Sequence, residues 1–173
     1  WILLKITDSM KKIQYNGFEL EHFDSASNFR KYQVSLISKY ISGNFVEVGA
    51  GKGGLVPYYK KFLKNITLLE PENKLFKILK KKFPNKKFKI ENFTIDKLKN
   101  SYDTIIYYDV LEHIKNDLKE ISTASKRLKK NGYLIVSVPA YQSLYSEFDK
   151  SVGHFKRYNK KDFIKLEKKT KLK

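Results

Sequence analysis

The segment Phe45-Val46-Glu47-Val48-Gly49-Ala50-Gly51-Lys52-Gly53-Gly54 constrains the fold of this chain more than any other stretch. A short apolar run with one acid inside it gives way to four glycines within six residues. Leu55, Tyr58, Tyr59 and Phe62 then follow at helical spacing. The pattern predicts a buried strand, a tight turn and a helix start. Glycines let a ligand approach the backbone where a Cβ would collide, and a helix N-terminus offers unpaired N–H groups. A nucleotide-type cofactor suits such a turn.

Three cofactor classes use it. A phosphate-binding P-loop needs Gly-Lys followed by Ser or Thr, and no such tripeptide follows here. Gly49, Gly51 and Gly54 do satisfy the dinucleotide spacing G-x-G-x-x-G, so an NAD-dependent oxidoreductase is the enzymatic rival. Glu47 argues against it, because a carboxylate beside the turn repels a pyrophosphate. The same carboxylate suits a cofactor with a cationic amine, and S-adenosylmethionine carries one. Ile66-Thr67-Leu68-Leu69-Glu70-Pro71 reads as the next strand, ending in a second acid. In an open α/β sheet, ligands bind beyond the carboxyl ends of the strands. Glu70 is there to accept ribose hydroxyls, or else is a strand-end acid facing water.

Strands and helices alternate along the rest of the chain. The periodicity predicts a helix over 29–41 with Phe29, Tyr32, Gln33, Leu36, Ile37, Tyr40 and Ile41 on its apolar face, then strand 45–49, helix 54–63, strand 66–70 and helix 73–83. Strands 87–91 and 102–108 follow, then helix 117–130 closed by Gly132, and strand 133–138. Alternation of this kind means a doubly wound parallel sheet with a Rossmann-like α/β fold. The segment 140–158 is aromatic and without period, and suits a lid over a substrate pocket. Asn159 and Asp162 read as the cap of a last helix reaching about Lys169.

In order along the chain, Glu47-x-Gly49-x-Gly51-x-Gly53, Glu70, Tyr102 to Ile114 with its Val110-Leu111-Glu112-His113-Ile114 core, and Leu128 to Pro139 resemble class I S-adenosylmethionine-dependent methyltransferases. The similarity runs from about Ser25 to Phe163. Val110 to Ile114 is similar to the branch containing ubiquinone-type O-methyltransferases. Val138-Pro139-Ala140, Leu144-Tyr145 and Gly153-His154-Phe155-Lys156-Arg157-Tyr158 resemble a bacterial small-molecule subgroup.

The resemblance implies a cofactor site made of Glu47, Gly49, Ala50, Gly51, Gly53, Glu70, Pro71, Asn92, Phe93, Asp109, Val110 and Leu111. Asn92 and Phe93 stand where the family contacts adenine, or form an ordinary strand-to-loop turn. Arg30 stands where an arginine of the ubiquinone-type enzymes pairs with the cofactor's carboxylate, although on this helix a solvent-facing arginine is the simpler reading. The family's sheet has seven strands, and this chain is expected to lack the final hairpin. It reads as one domain over 1–173, with a cofactor core at 25–139 and a C-terminal truncation. An exposed sheet edge then favours a homodimer. A cofactor-binding relic without activity is the non-enzymatic rival.

The cofactor supplies the electrophile, so the protein has to position a small-molecule or glycan- or lipid-precursor acceptor and remove its proton. His113 and His154 are candidate bases, with His113 equally suited to a structural role, while His22 carries no assignment. Tyr145, Arg157 and Tyr158 are candidate acceptor contacts, suited to an acidic or phosphorylated small molecule. Asp109, Glu112 and His113 match positions where ubiquinone-type enzymes resemble magnesium-binding proteins. One short segment does not complete such a site, and no metal is assigned.

The net charge of +18 invites a nucleic-acid partner, but only Arg30, Arg127 and Arg157 of the 36 basic residues are arginine, the side chain whose fork reads phosphate and base edges. A solvated lysine coat fits better, and a nucleic-acid methyltransferase stays a lesser option. No apolar run approaches the ~20 residues of a membrane span. The absence of cysteine fits a cytoplasmic protein.

Overall fold

The computed structural model describes residues 26–170 and 172, so His22 and Ser25 lie outside the described residues. Helix α1 (Ser27–Ile37) precedes strand β1 (Phe45–Val48), and then come α2 (Val56–Tyr59), β2 (Ile66–Leu69), α3 (Asn73–Lys82) and β3 (Phe88–Glu91). Strand β4 (Tyr102–Tyr108), α4 (Asp117–Ser125), β5 (Leu128–Ser137), α5 (Glu147–Ser151) and α6 (Lys160–Thr170) complete the order. The five strands form one sheet in the order β3-β2-β1-β4-β5, with every pairing parallel. The chain therefore walks outward from β1 to β3 and returns to lay β4 on the other side of β1. That reversal is the topological switch point, where a crevice opens beyond the strand ends.

Alternation along the strands builds a core on each face. Phe45, Ile66, Leu68 and Ile106 point to one side, against Val34, Tyr59 and Leu79 of the first three helices and Leu55 and Phe83 at helix ends. Val46, Val48, Leu69, Ile105 and Tyr107 point to the other, against Ile95, Leu98 and Ala124. A third cluster, Leu111, Ile121, Tyr158 and Leu166, fastens α6 and the segment before it to α4. Strands β1 and β2 are buried throughout, as parallel strands covered on both faces should be.

Local chemistry sets several boundaries. The Glu72 carboxylate caps α3 by accepting the Leu75 N–H at 2.8 Å, and the helix ends before Pro84, whose ring disfavours helix in the residue ahead of it. The expectation for α4 is corrected: the helix stops at Ser125 and β5 already begins at Leu128. Gly132 lies inside the strand, within the register shift between the Tyr102–Leu128 and Thr104–Tyr133 pairs. A Cβ there would sit 2.9 Å from the Asp103 carbonyl oxygen, so the strand reads glycine as close approach and not as a helix stop. Helix α1 also differs from its expected face. Arg30, Gln33 and Val34 are its buried residues, while Phe29, Tyr32 and Leu36 are 47%, 60% and 57% exposed. The inward face meets the polar end of the sheet, so it is partly polar itself. Leu172 lies outside any strand and packs on the third cluster.

Candidate functional site

Beyond the carboxyl ends of β1 and β4 the chain encloses a cavity of about 750 Å³. That volume suits a nucleoside-sized cofactor with a small second ligand. One wall is the turn after β1. Gly49 and Gly51 adopt φ of 69° and 56°, the left-handed region that side chains disfavour. A Cβ on Gly49 would lie 2.7 Å from Val110 Cγ2, so this glycine also lets the β1 turn and the β4 turn meet at the switch point.

Glu47 faces the cavity from inside β1. It is buried and accepts a hydrogen bond from the Tyr59 hydroxyl. Burial pushes its carboxyl up to about 7, against the opposing pull of the Tyr59 bond and the Arg30 charge, with Glu70 adding to the rise. Glu70 is buried at the end of β2, where its two oxygens accept the N–H groups of Gly51 and Glu72, each at 2.8 Å. Its carboxyl is raised by burial, and those two bonds pull it back.

The β4 end supplies the opposite wall. Asp109 adopts φ 55°, an outlier outside glycine, and lies 4.0 Å from the buried Arg30 and 3.5 Å from Ser137 Oγ. Burial raises its carboxyl, while Arg30 and Ser137 lower it. Arg30 is thus turned into the site, not toward solvent. Five carboxyls, of Glu47, Glu70, Asp109, Glu112 and Glu120, line this cavity in a protein of net charge +18. Arg30, Lys52, Lys115 and Arg157 line it as well, so a zwitterionic guest finds partners for both of its charges.

The segment 140–158 adds a wall to the cavity through Phe148, Val152, His154 and Arg157. Its ends are pinned together by the Tyr141 N–H to Tyr158 O bond at 3.0 Å and the Tyr158 N–H to Pro139 O bond at 2.9 Å. Its middle is bound to the β4 turn through Phe155 N–H to Glu112 O at 2.7 Å. Asp149, fully buried, organises the segment. Its Oδ1 accepts Arg157 Nε–H at 2.8 Å and lies 2.9 Å from His154 Nδ1, and its Oδ2 accepts the Ser146 N–H at 2.9 Å. Burial alone would raise this carboxyl, but the bonds from Arg157, His154 and Ser146 together hold it well below the usual carboxylate range.

Of the residues expected at the site, Glu47, Gly49, Ala50, Gly51, Glu70, Pro71, Asp109, Val110, His113, His154 and Arg157 line the cavity. The structure puts six elsewhere. Gly53 faces Phe83 and Leu79, and Leu111 is buried in the third cluster. Asn92 spends its amide on the backbone oxygens of Glu70 and Pro71, at 2.8 and 3.2 Å. Phe93 packs on the core, while Thr94 just after it reaches the cavity. The Tyr145 hydroxyl donates to His154 O at 2.6 Å, and that of Tyr158 bonds to Leu111 O at 3.2 Å and Asp117 at 3.1 Å. Both tyrosines hold the segment in place and neither lines the cavity. Phe148 and Val152 line it instead; their spacing of four on a short helix was the available signal.

Known proteins place this architecture. A profile of the family described as "Methyltransferase domain" matches residues 12–170. No curated protein matches the sequence. A Bacillus halodurans protein shares the fold at TM-score 0.69 and 15% identity, over 81% of this chain and 67% of that one. An S-adenosylmethionine-dependent methyltransferase of Clostridium acetobutylicum does so at TM-score 0.59 and 15% identity, over 73% and 58%. The magnesium protoporphyrin IX methyltransferase of Synechocystis, solved with bound S-adenosylhomocysteine, does so at 0.65 and 16%, over 87% and 73%. This chain therefore spans only 58% of the length of the Clostridium enzyme. Among the described residues no helix is long and apolar enough to cross a membrane. With its glycine turn at the switch point of a parallel sheet, and a family profile matching nearly all of its length, the chain belongs to the methyltransferase-domain family and has the class I S-adenosylmethionine-dependent methyltransferase fold.

Proposed function

We propose that the protein transfers the methyl group of S-adenosylmethionine to an oxygen or nitrogen of a small-molecule or glycan- or lipid-precursor acceptor. The observation that carries this reading is the set of buried carboxyls around the glycine turn, Glu47 foremost. A sulfonium and an ammonium group are welcome there and a pyrophosphate is not. Glu47 meets the amine, Glu70 keeps lone pairs for the ribose hydroxyls, and Arg30 supplies a cation for the carboxylate. The methyl group is the electrophile, so the chain's remaining work is to position the acceptor and manage its proton. His113 and His154, whose rings meet edge to face with centroids 4.7 Å apart, stand on the acceptor side with Arg157.

Calorimetric titration with S-adenosylmethionine, S-adenosylhomocysteine and NAD, run beside Gly51→Val, tests the reading. Both sulfur cofactors should bind and lose binding in the variant, since valine at a positive φ distorts the turn. Binding of NAD in their place would replace the reading with an oxidoreductase.

A further inference from the structure

Two separate elements bring three donor groups to one wall of the cavity. Glu112 and His113 stand on the turn after β4, and His154 stands on the segment that folds back after β5. One oxygen of Glu112 and one ring nitrogen of each histidine all lie within 4.8 Å of one another. Glu112 Oε1 is 3.9 Å from His154 Nε2.

Glu112 is the anomaly that needs an explanation. It is 1% exposed, and neither carboxylate oxygen has a hydrogen-bond partner among the described residues. Buried carboxyls are paired, hydrogen-bonded, protonated or bound to metal, and a cation is one partner that an orphaned one can take. Nearby, His154 is already prepared. The buried Asp149 holds its Nδ1 at 2.9 Å, leaving Nε2 as the nitrogen turned to Glu112. Metal-binding histidines are held in this way, with the far nitrogen on a carboxylate that fixes tautomer and ring orientation. Asp109 is not a member of the cluster, being turned to Arg30 and Ser137. The donor set is thus not a run of neighbours on one loop. It exists only because the segment 140–158 is folded over the β4 turn.

We propose that Glu112, His113 and His154 form a binding site for one divalent transition-metal ion. Two imidazoles and one carboxylate favour ions such as zinc or cobalt, whereas magnesium and calcium prefer all-oxygen sets. All three donors line the cavity, so an ion held by them would be reached from it. Bound there, the ion supplies a Lewis acid to an acceptor oxygen. The site goes beyond the methyl-transfer reading, because binding is measured without an acceptor.

The test is titration of chelator-stripped full chain with zinc chloride, and with cobalt chloride followed by its visible absorption. Glu112→Gln, His154→Gln and Asp109→Asn are run in parallel, with a far-ultraviolet circular dichroism melt as the check that each is folded. One equivalent of zinc should bind, weakened about 10–100-fold or more by Glu112→Gln and by His154→Gln and unchanged by Asp109→Asn. Zinc should raise the melting temperature of the wild type but not of Glu112→Gln. Absent stoichiometric binding, or binding indifferent to both cluster variants, overturns the site even where S-adenosylhomocysteine still binds. Should Glu112→Gln fail the folding check, His154→Gln decides alone. Loss of S-adenosylhomocysteine binding in the wild type would instead count against the methyltransferase reading and leave the zinc result standing.

Discussion

The Gly51 N–H donates to Glu70 Oε2 at 2.8 Å, so the acid at the end of the second strand holds the glycine turn of the first. Its other oxygen holds the Glu72 N–H at the same distance, just ahead of α3. One carboxylate therefore sets the spacing of the two loops that must grip a nucleoside. Hydrogen bonds to charged groups contribute about 1.5–3 kcal/mol. Glu70→Ala removes both, along with the ribose acceptor, and should weaken S-adenosylhomocysteine binding by about 10–100-fold. Calorimetry on the variant checks this, and unchanged affinity would take Glu70 out of the site.

Glu47 makes cofactor binding and stability depend on pH in opposite directions. Burial raises its carboxyl to about 7, so between its ordinary 4.5 and that value the folded state binds the proton the unfolded chain has released. Stability contributed by this group is full below that window and falls as pH rises through it. A cationic amine wants the carboxylate, so affinity should instead rise as pH passes 7. Glu47→Gln should be more stable than wild type by ~1–3 kcal/mol at pH 8, with affinity reduced and flat in pH. Denaturant melts and titrations at three pH values separate the two effects.

Gly49 is held by two constraints at once. Its φ of 69° disfavours any Cβ, and that Cβ would meet Val110 Cγ2 at 2.7 Å. Gly49→Ala should cost ~2–4 kcal/mol, the sum of left-handed strain and overpacking. Adding Val110→Ala should return the overpacking part and leave the strain. Urea unfolding of the two variants measures both.

Much of this was legible in the residues. The strands and their parallel order followed from apolar runs punctuated by helical periods, because a sheet covered on both faces leaves a plain signature in Phe45–Val48 and Ile66–Leu69. What failed did so where tertiary contact overrode local pattern. Gly132 reads as a helix stop, yet its smallness serves the close approach to Asp103. Tyr145 and Tyr158 read as acceptor contacts because they are aromatic and polar, yet their hydroxyls are spent on His154 O, Leu111 O and Asp117. Asp149 gave no signal at all, since an acid in a polar helix looks solvated until the fold buries it.

That burial makes Asp149 the post on which the segment over the cavity turns. It takes two donors on each oxygen: Arg157 and His154 on Oδ1, and the Ser146 N–H and hydroxyl on Oδ2. Asp149→Asn keeps the shape but replaces an acceptor oxygen with a donor and removes the charge that binds Arg157. The segment 140–158 should then exchange its amide hydrogens faster and be cut sooner by protease, while β1 to β4 keep their protection. Cofactor affinity should hold, because the glycine turn, Glu47 and Glu70 lie on the opposite wall. The carboxyl sits below its ordinary range, so its contribution is present above the unfolded value and lost as pH falls through the folded one. Wild-type protection of the segment should therefore decline in strong acid, and that of Asp149→Asn should not change there. Hydrogen exchange followed by mass spectrometry across the acid range reads both segments in one sample. Equal protection of 140–158 in the two proteins would mean that the pinned ends at Pro139, Tyr141 and Tyr158 hold the segment without Asp149.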